Sequence, residues 1–218
     1  MVRSAIARGH LRALPGVGAA AGQPERLSDA ALIEGIQQGD ARVAGEIYAR
    51  LLAVVEHTLY RILGRRTPEH RDLVQATFEQ IVVTLSTGRF AGACSLETWA
   101  SALATNVGLK ALRSQRREAQ VIERAVDFEL HPGAAHADFE RELDARAQLA
   151  LVRRQLAAMN PGQATTVFLH DALGHNLTEI ALISRVSVAA AQSRLVRGRR
   201  ELWRRMEKAP RKPKKERR

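Results

Sequence analysis

Apolar positions in this chain recur every three or four residues from Ser28 onward, and no stretch of useful length alternates apolar with polar. That period predicts an all-α protein. Ser28 is placed to cap a helix through Gln38. Asp40 is placed to cap a longer one, from Ala41 to about Leu63, which Gly64 stops. A third helix follows Pro68 and runs to about Leu85, with Leu73, Val74, Thr77, Phe78, Ile81, Val82 and Leu85 on one stripe expected to be buried. Its other face carries Asp72, Gln75 and Glu79. The segment Ser86 to Cys94 reads as a loop around Gly88 and Gly92, after which Ser95 caps a fourth helix that extends to about Arg117.

Residues 119–142, with Pro132, Gly133 and mixed charges but no sustained apolar face, have the composition of a flexible linker with room for one short helical piece. It divides a four-helix domain over 28–118 from a second domain over 143–208, with a disordered leader at 1–27 and a disordered basic tail at 209–218. The linker leaves the two domains free to reorient. The second domain starts with a helix from about Leu143 to Ala158, and Asn160 followed by Pro161 signals another that ends near Gly174. Two short helices close it.

Those last two carry the most specific local pattern. Asn176 and Glu179 are spaced as a capping box, so a short helix starts there; it breaks around Ser184 to Val186, and Ser187 caps a second. This is helix-turn-helix spacing. On the second helix Val188, Ala191, Leu195, Gly198, Leu202 and Met206 form a packing stripe, opposite Ser193, Arg197, Arg200 and Arg204. Such a row suits phosphates and guanine edges, whereas the plain alternative is a solvated arginine face; the capped helix in front favours nucleic acid. A second basic stripe on the fourth helix combines Trp99, Asn106, Lys110, Arg113 and Arg117, opposite Leu96, Ala100, Leu103 and Val107. An aromatic among cations suits unpaired DNA, and half-buried packing is an equal alternative for Trp99.

Charge sharpens this picture. The chain carries 34 Lys and Arg against 23 Asp and Glu, a net charge of +11. From Ser187 to Arg218 there are 13 Lys or Arg and 3 Glu, so this end alone holds a net +10. Such a distribution points to a polyanionic partner. No apolar run is long enough to span a bilayer, and Pro15, Gly16, Gly18 and Gly22 interrupt any signal-type segment, so no membrane insertion is expected. The lone Cys94 excludes an internal disulfide and fits a reducing cytoplasm; in its loop it reads as a small packing residue more readily than as a redox sensor. His170 and His175 lie off a common helix face, and His131 and His136 fall in the linker; neither pair has metal-ligand spacing. With no phosphate-loop, dinucleotide or serine-hydrolase motif present, no enzyme activity, cofactor or metal is expected.

Two stretches resemble a known family. The run DLVQATFEQIVVTL (Asp72 to Leu85), with GRFAGACSLETWASALATN (Gly88 to Asn106) and LRSQRRE after it, resembles region 2 of bacterial extracytoplasmic-function sigma factors. The run from Met159 to Leu202 resembles their region 4, and the pair in this order is far more specific than a lone helix-turn-helix. The resemblance implies a sigma factor that binds core RNA polymerase and directs initiation at promoters, opposed in the cell by an anti-sigma protein. It implies that Asp72, Gln75 and Glu79 dock on the polymerase clamp helices. It further implies that the fourth helix and the loop from Phe90 to Ser95 read and open the −10 element. Gln192, Ser193, Arg194 and Arg197 would face the −35 element, with Arg199 and Arg200 on the DNA backbone.

Some positions depart from the family pattern. Arg185 stands in the turn where a Gly able to take positive φ is usual, Ala190 and Ala191 where Thr and Val are common, and Ala102 where an Arg is often found. Gln192 replaces a frequent Lys or Arg and retains the ability to pair with adenine. The rival reading is a helix-turn-helix regulator that acts without polymerase, its first four helices serving oligomerisation. The tail Ala209 to Arg218 is expected to add sequence-independent, salt-sensitive DNA affinity. Its removal should weaken binding to all duplexes alike in a filter-binding assay, and a loss confined to one promoter would count against that role.

Overall fold

Helix starts are written into the chain by short polar side chains. The computed structural model describes residues 27–65, 69–90, 92–123 and 137–209, so the leader, the middle of the linker with His131 and His136, and the tail beyond Ala209 lie outside it. The Ser28 hydroxyl accepts from the Ala31 amide and opens α1 (Asp29–Gln37), and the Asp40 carboxylate accepts from the Arg42 amide and opens α2 (Ala41–Leu63). Gly64 ends α2 in the left-handed conformation at φ 75°. Then follow α3 (Glu69–Ser86) and α4 (Leu96–Glu123). The second half comprises α5 (Ala137–Ala158), α6 (Pro161–Val167), a π-helical turn (Phe168–Ala172), α7 (Leu177–Ser184) and α8 (Val188–Lys208). Among the described residues there is no strand.

In the first half α2 and α4 run against each other along much of their length, α3 packs on both, and α1 closes one end. Leu32, Ile47, Leu51, Val55, Leu59, Ile81, Leu85, Leu96 and Ala100 are its fully buried centre. A polar network pins the entry of α4: Arg50 of α2 donates to Glu97 at 2.6 Å and to Asp29, whose second oxygen accepts the Leu96 amide at 2.9 Å. Asp29 therefore satisfies a free amide at the start of a helix 67 residues away in sequence. In the second half α6 and α8 make the closest approach. A Cβ on Gly198 would lie 2.6 Å from Val167 Cγ2, so glycine is required for that spacing.

The two halves share apolar cores. Ile62 of α2 and Leu109 of α4 are buried in one cluster with Leu156, Met159, Val167, Phe168 and Leu195, and Ala102 of α4 joins Leu169, Ile180, Ala181 and Ala191 in another. The free reorientation expected of the linker is thus replaced by a docked arrangement. Its physical reason is that α4 carries a second apolar face that its own bundle does not cover.

Other expectations need correction. Helix α4 continues to Glu123 instead of ending near Arg117, and α5 begins at Ala137 instead of Leu143, so the linker shortens from both sides. The closing helix α8 is 21 residues long, not short. Val82 and Val188, assigned to buried stripes, are exposed.

Leu109 touches the region where both halves meet, and Leu109→Ala should cost about 2–5 kcal/mol in urea unfolding, as deletion of a fully buried leucine side chain does. A loss below about 1 kcal/mol would show that the site is not packed as described.

Candidate nucleic-acid interface

The helix-turn-helix is held by local hydrogen bonds that can be traced residue by residue. Asn176 accepts the Glu179 amide at 2.9 Å while Glu179 accepts the Asn176 amide at 2.9 Å, the reciprocal capping box that the spacing predicts. Helix α7 ends at Arg185, which takes φ 51°, the one non-glycine residue with positive φ among those described. Its amide satisfies carbonyls of Ala181 and Leu182 at the end of α7, so the turn is kept at the cost of a conformation disfavoured by about 1 kcal/mol for a side chain with a Cβ. Ser187 then accepts the Ala190 amide at 3.1 Å and starts α8.

On α8, Ala191, Leu195 and Gly198 face inward, and Gln192, Ser193, Arg197, Arg200 and Arg204 are exposed. Arg204 is held by Glu201 of its own helix. Two of the expected contact residues are oriented differently. Arg194 turns toward the junction between the halves, where it lines a crevice with Ala102, Asn106 and Thr165. Arg199 pairs with Asp171 of the π-helical turn, Nε donating at 3.0 Å, and also approaches His170. The Arg199 hydrogen bonds hold the Asp171 carboxyl below its ordinary value against a smaller opposing effect of burial, with His170 helping.

The stripe expected on α4 divides in the structure. Trp99 is 8% exposed and stacks at 4.7 Å on Phe90, so it belongs to the core, as its packing alternative had it. Phe90 is half-buried for the same reason. Ser95 is exposed and caps α4 by accepting the Thr98 amide at 3.1 Å. Asn106, Lys110 and Arg117 are exposed, whereas Arg113 is half-buried, and two of its guanidinium nitrogens are buried without an acceptor. Burial lowers the Arg113 pKa. Asp72, Gln75 and Glu79 lie together on the exposed side of α3, with Gln75 donating to Glu79 at 3.0 Å.

Periodicity did not reveal the bonds that cross between the halves. Thr165 donates to Asn106 at 3.0 Å, Ser101 and His175 share a hydrogen bond at 2.7 Å, and Arg185 donates to the Arg89 carbonyl at 2.9 Å. Ser101, Thr165 and His175 are small or common polar residues without a motif. Their only signal in the sequence is a run of small side chains, Ser101, Ala102, Ala104 and Thr105, in the half of α4 that carries its apolar stripe. Cys94 is half-buried, and desolvation first, with the nearby Glu179 and Asp29 charges, pushes its thiol pKa up, away from the thiolate that redox chemistry uses. Among the described residues no His, Cys, Asp and Glu side chains cluster in a way that holds a metal ion. No helix among them is long and apolar enough to cross a membrane.

The Asp171–Arg199 pair ties the turn before the helix-turn-helix to α8. Because the folded carboxyl titrates below 3.8, its contribution is complete above that value and fades as pH falls through the lower folded one. Both side chains are partly solvated, so Asp171→Asn should cost only about 0.5–1 kcal/mol at neutral pH. The difference from the parent in thermal melts should shrink as pH falls from 3.8 through the lower folded value.

Residues 47–118 match the sigma-70 region 2 family model, and residues 149–202 match the sigma-70 region 4 model. No curated protein sequence is similar enough to match. Among solved structures, the chain is similar to CnrH in its complex with the cytosolic domain of CnrY, at 21% identity over 82% of this chain and 97% of that one, with a TM-score of 0.49. It is also similar to the sigma factor RpoE of Bartonella quintana in complex with the anti-sigma factor NepR, at 19% identity over 75% and 96%, with a TM-score of 0.43. The two matched regions together take in more than half of the residues, in the order the helices require, and the chain belongs to the sigma-70 family as a sigma factor that binds RNA polymerase and directs initiation at promoters.

Proposed function

We propose that the chain is a small sigma factor of the extracytoplasmic-function type, working in the cytoplasm, not an enzyme, and opposed by an anti-sigma protein. The observation that carries this reading is that the two matched regions stand in one chain joined by a single short connection. In this reading Asp72, Gln75 and Glu79 meet the polymerase clamp helices. Gln192, Ser193 and Arg197 on the exposed side of α8 enter the −35 major groove, where a bidentate contact is worth about 1–3 kcal/mol, and Arg200 meets the DNA backbone. Arg194 and Arg199 join them only after leaving their present partners.

The −10 face follows the same logic. Asn106 is bonded to Thr165, and Ala102 is covered by the second half, so α4 has to shed region 4 before DNA can reach it. Lys110 and Arg117 remain available to phosphates, Ser95 stands at the exposed start of α4, and Trp99 with Phe90 would reach an unpaired base only by unstacking from the core. Core polymerase, by holding regions 2 and 4 apart, would supply the opening.

Incubation with purified bacterial core polymerase followed by run-off transcription from a genomic promoter library tests the reading. Stable association and new starts sharing −35 and −10 sequences are expected. Sequence-specific duplex binding without any core association would replace it with the polymerase-independent regulator. Arg197→Ala with Arg200→Ala should lower transcription and reduce the salt slope of promoter binding by about one per lost phosphate contact. Opening is checked separately by energy transfer between dyes at Ala53→Cys and Gln192→Cys in a Cys94→Ser background. Transfer should fall when core is added, and unchanged transfer would mean that the docked form is the active one.

A further inference from the structure

Where the end of α2, the second half of α4 and α5 meet, a cleft of about 810 Å³ is lined by Arg65, Arg116, Arg146, Arg153 and Arg154. No carboxylate is among its described lining residues. Arg65, Arg116, Arg153 and Arg154 converge there with no acid among the described lining residues, an unfavourable arrangement unless an anion joins them. Arg153 has a structural role: its Nη2 donates to the Arg61 carbonyl at 3.4 Å and its guanidinium lies on Gly64, closing the end of α2. Even so, Arg153 Nε and Arg116 Nε are buried with no acceptor. A buried guanidinium N–H left unmet costs on the order of 1–3 kcal/mol or more, which an incoming oxyanion would recover. Among the described residues no ion pair engages Arg65, Arg116 or Arg154.

The rest of the cleft is not polar. Tyr60 is 49% exposed and Leu149 52% exposed on its walls, and Leu63, Leu112 and Ala157 form an apolar side. A bare phosphate or oligophosphate would satisfy the arginines and leave this half unmatched. A nucleotide satisfies both, with its base against Tyr60 and the leucines and its phosphates on the guanidinium fork. The volume lies in the usual range of small-molecule sites, roughly 300–1,000 Å³.

We propose that this cleft binds a nucleotide carrying two or more phosphates. Because its walls come from both halves of the chain, the ligand holds α5 against α2 and α4 and favours the docked form over the open one. This consequence for transcription rests on the sigma-factor reading; the binding itself does not, so a failed titration leaves that reading untouched.

The test is calorimetric titration of the full chain with GTP and with ATP at fixed ionic strength. Saturable binding of either, at one site per chain, is expected. Arg116→Gln with Arg154→Gln should weaken it by about tenfold or more, since two charge-assisted contacts are lost. Arg154→Gln alone, at an exposed position, guards against misfolding and should weaken it in the same direction. Arg197→Gln with Arg200→Gln, on the far face of α8, should leave it unchanged. Pyrophosphate binding as tightly as the nucleotides would overturn the proposal in favour of a simple anion site. So would nucleotide binding that only the α8 variant abolishes, or no saturable binding at all. If the cleft variants lower duplex DNA affinity and leave the nucleotide titration untouched, the arginines serve DNA and the proposal fails.

Discussion

Helix α4 has to satisfy two neighbours at once, and the rest of the molecule is arranged around that demand. One face, with Leu96, Ala100, Ala104 and Val107, completes the first bundle. The other, with Ala102 and Leu109, lies in the cores shared with the second half. Because the helix is buried on both sides, its side chains there are small: a Cβ on Gly108 would come within 2.8 Å of Ile62 Cδ1. The Arg50–Asp29–Glu97 network sets where α4 begins, and thereby the register of both faces. Shifting its start by one residue would turn each face about 100° from its partner.

Local signals were legible and shared surfaces were not. Ser28, Asp40, Asn176 and Ser187 each cap the helix expected of them, because an N-cap bond involves residues only two or three apart. The arginine row of α8 was legible for the same reason, since helical spacing alone places Arg197 and Arg200 opposite Leu195 and Gly198. Trp99 shows where this stops. Spacing put it beside Lys110 and Arg117, but the loop that brings Phe90 over its ring is a tertiary fact. Alanine, serine and threonine are compatible with either solvent or a close helix contact, so apart from Leu109 and Leu112 the docking face of α4 left little trace in hydropathy. The extra turns of α4 and α5 were missed because their polar residues lack an apolar stripe.

The turn at Arg185 joins these levels. A glycine there would relieve the strain of positive φ, yet the arginine side chain reaches the Arg89 carbonyl next to the loop that carries Phe90. The helix-turn-helix thus keeps a slightly unfavourable backbone while its side chain links it to the first half. That bond is made only in the docked form, so the strain is offset there and left uncompensated once the halves part.

The interface between the halves has the make-up of one that separates. Its centre is apolar, with Ile62, Leu109 and Ala102, and around it stand single hydrogen bonds between Ser101 and His175, Thr165 and Asn106, Arg185 and Arg89, and Arg153 and Arg61. The connection between Glu123 and Ala137 is short, so docking is an intramolecular event with a high effective concentration, and a modest interface suffices to keep α4 covered. A partner shifts that balance only by its difference in affinity for the two forms, and moving it from about 1:99 to 99:1 takes about 5.5 kcal/mol. In the proposed reading, polymerase contacts on two separated regions act on the open side of this balance, and the ligand proposed for the cleft between α2, α4 and α5 acts on the closed side. If the α4 face covered by the second half is also the one proposed to read the −10 element, promoter binding and closure exclude each other, and docking alone makes the free chain a poor reader of that element.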